Sequence, residues 1–280
     1  MRTSRLAPRE QGLIERLSPA FACVEMFSDV PESTMFSIEA ALVAGAVAER
    51  RREFGTVRYC ARKALLEIGV PAAPVLPDVD GSPRWPAGVV GSMTHCAGYR
   101  AAAVAPSGQV CGVGIDAEPH AAVPFAALDL VLRDEERARL LVLADAYPDL
   151  HWDRIVFCAK EAVYKVWFPL TRRWLDFADV SMTVYPDGTF WARLCVPGSR
   201  VAGVDLDVLG GRWVVGRGLV VAATSVSRYP SALAPTPLAP CEVGRGLQRA
   251  AAVGGSEAQR GTGNDGRDIG INDLNDQPVP

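Results

Sequence analysis

Tyr59-Cys60-Ala61-Arg62-Lys63-Ala64-Leu65 and Phe157-Cys158-Ala159-Lys160-Glu161-Ala162-Val163 read alike: aromatic, Cys, Ala, basic, charged, Ala, aliphatic. Around the first, Phe54, Val57, Ala61, Ala64, Leu65 and Ile68 recur at spacings of three and four, which makes one apolar helical face. Gly69 followed by Pro71 is the stop signal. The second lies in a helix expected from about His151 to Phe168, ending before Pro169. After each helix a strand carries Ser-Met-Thr, at 92–94 and again at 181–183. Two matches in the same order predict an internal duplication. The unit is a helix followed by an antiparallel hairpin or meander. Two such halves leave a cleft between them, a common ligand position.

The remaining pattern fits that unit. Phe21 to Phe27 reads as a strand, and Pro31-Glu32 opens helical sequence with a break near Gly55. Short apolar strands follow at Val89–His95, Tyr99–Ala105 and Val110–Glu118, with a turn at Pro106-Ser107-Gly108. Asp134, Glu135 and Glu136 mark an acidic first helical turn. The last third predicts strands at Val180–Tyr185, Thr189–Val196, Val204–Leu209, Trp213–Val215 and Leu219–Val226, with Gly210-Gly211 as a turn. The expected class is α+β: a pseudo-twofold pair of similar halves, each a long helix packed on a small antiparallel sheet. The halves run 13–112 and 113–228, and 229–280 is a disordered tail.

The tail follows from composition. All 21 aromatic residues lie at or before Tyr229, and the last 51 residues hold 6 Pro and 8 Gly. Such a stretch buries too little surface to order itself. The whole chain, at 280 residues with 49% hydrophobic and 22% charged residues, is of ordinary globular composition. Its net charge of -3 gives no global attraction to nucleic acid. Seven cysteines without a C-x-x-C pair point to free thiols in a reducing cytoplasm and no structural zinc. The amino terminus lacks a signal-peptide core, and no apolar run is long enough to span a bilayer.

Charge is placed unevenly. Arg50, Arg51, Arg52, Arg58, Arg62 and Lys63 face only Glu49 and Glu53. They make either a solvated helix face or a phosphate cradle, since guanidinium forks match phosphate oxygens. The strand Val113-Gly114-Ile115-Asp116-Ala117-Glu118 ends in two carboxylates at i and i+2, on one side of the strand. They suit an exposed strand end or a divalent-cation site. Lys160, Glu161 and Lys165 sit in otherwise apolar helix; Glu161 and Lys165 can pair at i,i+4, or all three can line a cleft. Gly91-Ser92-Met93-Thr94-His95 ends another strand in small polar groups. The three histidines have no zinc-ligand spacing. There is no P-loop, dinucleotide fingerprint, G-x-S-x-G elbow or basic-aromatic platform for nucleic acid.

Taken in order, these elements resemble the Sfp-type 4'-phosphopantetheinyl transferases. The family pattern is Trp-Pro, Gly-Ser-x-[ST]-His, Gly-[IV]-Asp-x-Glu and Lys-Glu-[AS]-x-x-Lys. Here it reads Trp85-Pro86, Gly91 to His95, Gly114 to Glu118, and Lys160 to Lys165. The upstream arginine element runs from Arg50 through Glu53, Phe54, Arg58 and Ala61 to Arg62. The His151-Trp152-Asp153-Arg154 run and Trp167-Phe168-Pro169 resemble actinobacterial members.

The resemblance implies transfer of the 4'-phosphopantetheine arm of coenzyme A to a serine of an apo acyl or peptidyl carrier protein, with release of 3',5'-ADP. It implies Mg²⁺, or Mn²⁺ in its place, held by Asp116, Glu118 and Glu161. Lys160 and Lys165 would help at the phosphates, and Glu161 would act as general base. Arg50, Arg58, Arg62 and His95 would hold the 3'-phosphate end of coenzyme A, with Ser92, Thr94 and Asp116 nearby. The first half would take the adenine side, and the second the metal and catalytic helix. Arg154, Lys160, Lys165, Arg172 and Arg173 would give an acidic carrier a basic rim, and Trp167 with Phe168 an apolar spot. A monomer is expected. Some relatives place a Lys before Trp-Pro; residues 76–84 contain none, so Arg84 substitutes or the contact is absent. A Mg²⁺-dependent phosphohydrolase or nuclease shares the carboxylates and lysines, and a non-catalytic coenzyme A or carrier-binding module is the third reading.

Overall fold

Among the described residues the first regular elements are strand β1 (Ala22–Met26), short helix α1 (Ser37–Leu42) and long helix α2 (Ala48–Glu67). A small hairpin, β2 (Leu76–Pro77) and β3 (Pro83–Arg84), leads to a larger one, β4 (Val89–Cys96) and β5 (Tyr99–Pro106). Strand β6 (Val110–Pro119) precedes helices α3 (Phe125–Val131), α4 (Asp134–Ala146) and α5 (Trp152–Thr171). Six strands close the fold: β7 (Val180–Val184), β8 (Thr189–Leu194), β9 (Arg200–Val201), β10 (Val204–Asp205), β11 (Val208–Gly216) and β12 (Leu219–Ser227). This computed structural model describes residues 12–18, 21–197, 200–201 and 203–228. The expected disordered tail, 229–280, lies outside the described residues, as do residues 1–11 of the leader reading.

The architecture is mixed α+β with antiparallel sheets. One sheet has the order β1-β5-β4, the larger β6-β12-β11-β8-β7. In each half a strand is followed by a 20-residue helix and later by a hairpin. The hairpin's second strand inserts between its partner and the first strand, giving β1-β5-β4 and β6-β12-β11. By this topology β4 corresponds to β11. The second Ser-Met-Thr lies on β7 instead, so that match joins strands that do not correspond.

Period-two alternation assigns each strand's residues to two layers. Ala101, Ala103 and Ala105 of β5, Val113, Ile115 and Ala117 of β6, and Leu219, Val221 and Ala223 of β12 share one core with Leu13, Ile14 and Leu17. The opposite faces carry the helices: Ala102 packs with Cys60 and Ala61 of α2, and Val220 and Ala222 with the apolar face of α5. Gly112, Gly114, Asp116 and Glu118 alternate with the core residues of β6 and fall on the α5 side. No backbone ladder joins β4 to β6. Side chains bridge them: Ser92 Oγ accepts from the Ile115 amide at 3.1 Å, and Thr94 Oγ1 from the Ala117 amide at 3.2 Å.

Gly114 explains why its motif begins with glycine. A Cβ there would lie 1.9 Å from the Ala162 carbonyl oxygen, because α5 rests directly on β6. Gly114→Ala is therefore expected to destabilise the fold by about 1–3 kcal/mol, read as a lower Tm. An unchanged Tm would show that α5 is free to retreat.

Three boundaries differ from expectation. The helical break falls between α1 and α2, not at Gly55, which lies inside α2. Helix α5 runs past Pro169 to Thr171. A proline in the last turn sacrifices one amide bond, and the left-handed Arg172 (φ 55°) closes the helix with its amide on the Phe168 carbonyl at 2.8 Å. Gly210 and Gly211 are not a turn; β11 runs through them. Cβ atoms there would meet the Trp191 ring at 2.5 Å and the Phe190 ring at 2.1 Å, so the glycines admit the rings of β8. Cys23, Cys60, Cys96, Cys111 and Cys158 are free thiols, and burial pushes the Cys60 thiol up to about 12; Cys195, expected to be free as well, is disulfide-bonded instead. Among the described residues no helix is long and apolar enough to cross a membrane.

Candidate active site

Asp116 is 0% exposed on the α5-facing side of β6. Its Oδ1 accepts from Lys165 Nζ at 2.8 Å and from Thr94 Oγ1 at 3.2 Å, while Oδ2 has no hydrogen-bond partner. Lys165 and Glu161, one turn apart on α5, both line a cleft between the halves. The first half contributes Arg50, Phe54, Val57 and Arg58 from α2, Gly81 and Ser82 from the β2–β3 loop, Pro83 from β3, and Gly91 to His95 from β4. The second adds Tyr164, Phe168 and Pro169. Tyr164 stacks on Phe168, with ring centroids 5.6 Å apart. Burial, with Glu161 and Asp80 nearby, pushes the Tyr164 phenol up to about 12.

Basic residues of the cleft come from α2 and β4. Arg50 Nη1 lies 3.0 Å from His95 Nε2. Glu53, fixed by buried Arg100 at 3.1 Å, lies 3.9 Å from His95 Nδ1 and 4.0 Å from Arg50. Arg58 lines the cleft, but its Nε donates to the Val75 carbonyl at 3.1 Å and its guanidinium lies over the Phe54 ring. Arg62 is not among the lining residues. Its guanidinium is spent on Glu39 at 2.6 Å and the Thr34 carbonyl at 2.8 Å.

Lys160 points elsewhere too. Its ammonium donates to Glu136 Oε2 at 2.8 Å and to the carbonyls of Val131 and Phe177 at 2.9 and 3.0 Å, which uses all three protons. Burial lowers its pKa, against the upward pull of Glu136. Helical geometry is the reason: adjacent residues lie about 100° apart around the axis, so Lys160 and Glu161 cannot share a face. Glu118 is drawn to Arg154 Nη1 at 2.9 Å. Among the described residues no group of three His, Cys, Asp or Glu side chains is placed to hold a metal ion, so the expected three-carboxylate set is not gathered. The donor chemistry nevertheless suits a hard cation at Asp116: a buried carboxylate oxygen without a partner is costly, and Mg²⁺ takes such oxygens.

The expected basic rim is likewise occupied. Arg154 binds Glu118, Lys165 binds Asp116, Arg172 binds acidic residues of the β2–β3 loop, and Arg173 donates to the Pro197 carbonyl at 2.9 Å. Trp167 is fully buried, with its Nε1 on the Arg173 carbonyl at 2.8 Å; the exposed indole is Trp174. Arg84 is exposed and is not among the lining residues. The sequence places Phe54 and Val57 on an apolar helical face and Phe168 in a carrier-facing spot, and does not show that they meet Met93 and Tyr164 in one apolar lining.

Comparison with known proteins gives the family. Residues 38–105 match the model of the 4'-phosphopantetheinyl transferase N-terminal domain, and residues 112–215 that of the 4'-phosphopantetheinyl transferase superfamily. The junction between them falls where the β5–β6 turn separates the two sheets. The chain belongs to this superfamily and is an enzyme of the 4'-phosphopantetheinyl transferase class. It is 50% identical over 220 residues to 4'-phosphopantetheinyl transferase Svp of Streptomyces mobaraensis, covering 77% of this chain and 89% of that protein. It is 51% identical over 207 residues to 4'-phosphopantetheinyl transferase PptT of Mycobacterium tuberculosis, covering 72% and 90%. To 4'-phosphopantetheinyl transferase Npt of Nocardia iowensis it is 42% identical over 221 residues, covering 75% and 98%. The chain thus groups with actinobacterial transferases of the Sfp type.

Proposed function

We propose that the enzyme takes the phosphopantetheine arm from coenzyme A and delivers it to a serine hydroxyl of an apo acyl or peptidyl carrier protein, in the cytoplasm and as a monomer. One observation carries this reading: a single cleft is lined both by the Arg50–His95 pair and by Glu161 with Lys165, whose ammonium Asp116 holds. The two groups suit the two charged regions of coenzyme A, its 3'-phosphate and its pyrophosphate. A simple hydrolase does not need the first. We read the matching strand orders of the halves as a pseudo-twofold duplication, with the cleft at its junction.

The serine oxygen attacks the phosphorus that carries the pantetheine arm. The new P–O bond forms as the pyrophosphate P–O bond breaks, and 3',5'-ADP leaves. The serine proton passes to Glu161, which faces the cleft. Lys165 meets charge developing on the phosphates, and Asp116 holds its ammonium in place. Arg50 and His95 grip the 3'-phosphate, with Arg58 beside them. Mg²⁺ would be held by Asp116 and Glu161, with Glu118 joining on release from Arg154. When bound it neutralises the pyrophosphate. Ser92 and Thr94 serve chiefly as the seam that places β6 against β4.

The test incubates the protein with coenzyme A, Mg²⁺ and a panel of apo carriers. A mass gain of one phosphopantetheine arm on the carrier serine, abolished by chelator, is expected. No gain on any carrier, or hydrolysis of coenzyme A without an acceptor, would sink the reading.

A further inference from the structure

Arg172 occupies a left-handed position (φ 55°) at the end of α5, a conformation that costs a non-glycine residue energy. From there its guanidinium crosses to the loop between β2 and β3, in the other half of the molecule. Nη1 donates to the Asp80 carboxylate and to Ser82 Oγ at 3.1 Å, and Nη2 lies 3.6 Å from Asp78 Oδ2. Asp80 also accepts from the Ser82 amide at 3.0 Å and the Ser82 hydroxyl at 2.5 Å, so the loop is braced internally. Burial works against Asp80's charge, but the Ser82 bonds and Arg172 leave its carboxyl below the ordinary range.

The cleft geometry gives these contacts their meaning. Gly81, Ser82 and Pro83 line the cleft from the first half, and Tyr164, Phe168 and Pro169, the turns of α5 just before Arg172, line it from the second. One side chain therefore ties two cleft-lining segments together. We propose that Arg172 is a positioning residue that clamps the β2–β3 loop to the end of α5 at the cleft and sets how tightly the donor is held. This rests on the cleft being the coenzyme A site.

The clamp is not a fold-stabilising device. Arg172 is 50% exposed and Asp80 23%, and ion pairs that open to water contribute little to global stability and are screened by salt. A contact of that strength suits a wall that must let nucleotide in and out on every turnover. It fixes a loop when the cleft is filled and yields when product leaves.

The experiment compares wild type, Arg172→Ala, Asp80→Ala, the double variant and Arg172→Lys. It measures calorimetric coenzyme A affinity, steady-state constants and Tm. Arg172→Ala and Asp80→Ala are each expected to weaken coenzyme A binding and raise its KM about three- to fivefold, with kcat and Tm nearly unchanged. The double variant is expected to be no worse than either single. Arg172→Lys, which keeps the charge but loses the fork, falls between. High salt is expected to bring wild type toward the variants. Unchanged coenzyme A affinity in both single variants would overturn the clamp while leaving the transferase reading intact. So would additive losses, or a rise in carrier KM alone. A wild-type protein that binds no coenzyme A would overturn both.

Discussion

Glu161→Gln is expected to lower the rate of arm transfer by about 10²–10⁴-fold, the range that positioned proton transfer supplies. Glutamine keeps the volume and hydrogen-bonding reach of the side chain but neither accepts a proton nor carries charge. Glu161 is nearly buried on α5, lines the cleft, and lies one turn from Lys165, whose ammonium is fixed on Asp116 at 2.8 Å. That turn is held against β6 by packing that does not involve Glu161. The Ala162 carbonyl sits over Gly114, and Val163 and Val166 belong to the apolar core. The variant should therefore melt like wild type and still bind coenzyme A through the Arg50–His95 pair. The loss should fall on kcat more than on the KM for coenzyme A. A variant with near-wild-type turnover would remove Glu161 both as base and as metal ligand.

The two long helices are legible in the residue patterns because they rest on local periodicity, whereas the two-half reading rests on paired motifs, one of which joins strands that do not correspond. Helix α2 shows its apolar face in Phe54, Val57, Ala61, Ala64 and Leu65, all of them buried. Strands β4, β5 and β6 fall within a residue or two of their expected bounds. Sequence spacing was silent on what glycine faces. Gly210 and Gly211 look like a turn until the rings of Phe190 and Trp191 are seen above them. It was also silent on where a charge ends up. Arg62 and Arg58 share a helix with Arg50, yet Glu39 from α1 claims Arg62 and the Val75 carbonyl holds Arg58. Those partners are distant in sequence and follow no spacing rule. The same holds for Arg154, which reaches back 36 residues to Glu118, and for Arg172, which reaches 90 residues to Ser82. A motif gives the residue types near the chemistry; the long-range partner decides which of them face it.

Lys160 and Lys165 show this most clearly, and substituting them is expected to separate them. They flank the same motif, but the Lys160 side chain is 1% exposed and its ammonium is saturated by Glu136 and two carbonyls, whereas the Lys165 side chain is 19% exposed at the cleft on Asp116. Removing one member of a buried, hydrogen-bonded ion pair typically costs about 3–5 kcal/mol. A domain has only about 5–15 kcal/mol of total stability. Lys160→Ala should therefore lower Tm and the urea midpoint steeply, and activity should fall only with the folded fraction. Replacing the partner as well, as in Lys160→Met with Glu136→Leu, should recover part of the loss but not all. Glu136 also accepts from the amides of Met182 at 2.6 Å and Arg133 at 2.9 Å, and so ties α4 to β7 independently of Lys160. Lys165→Ala also strips the buried Asp116 carboxylate of its cation and should lower Tm, but its loss of kcat should far exceed what the folded fraction explains, because Asp116 loses the cation that faces the cleft. If Lys160→Ala melted like wild type and lost activity as Lys165→Ala does, its ammonium would belong to the cleft and the Glu136 pairing would be secondary.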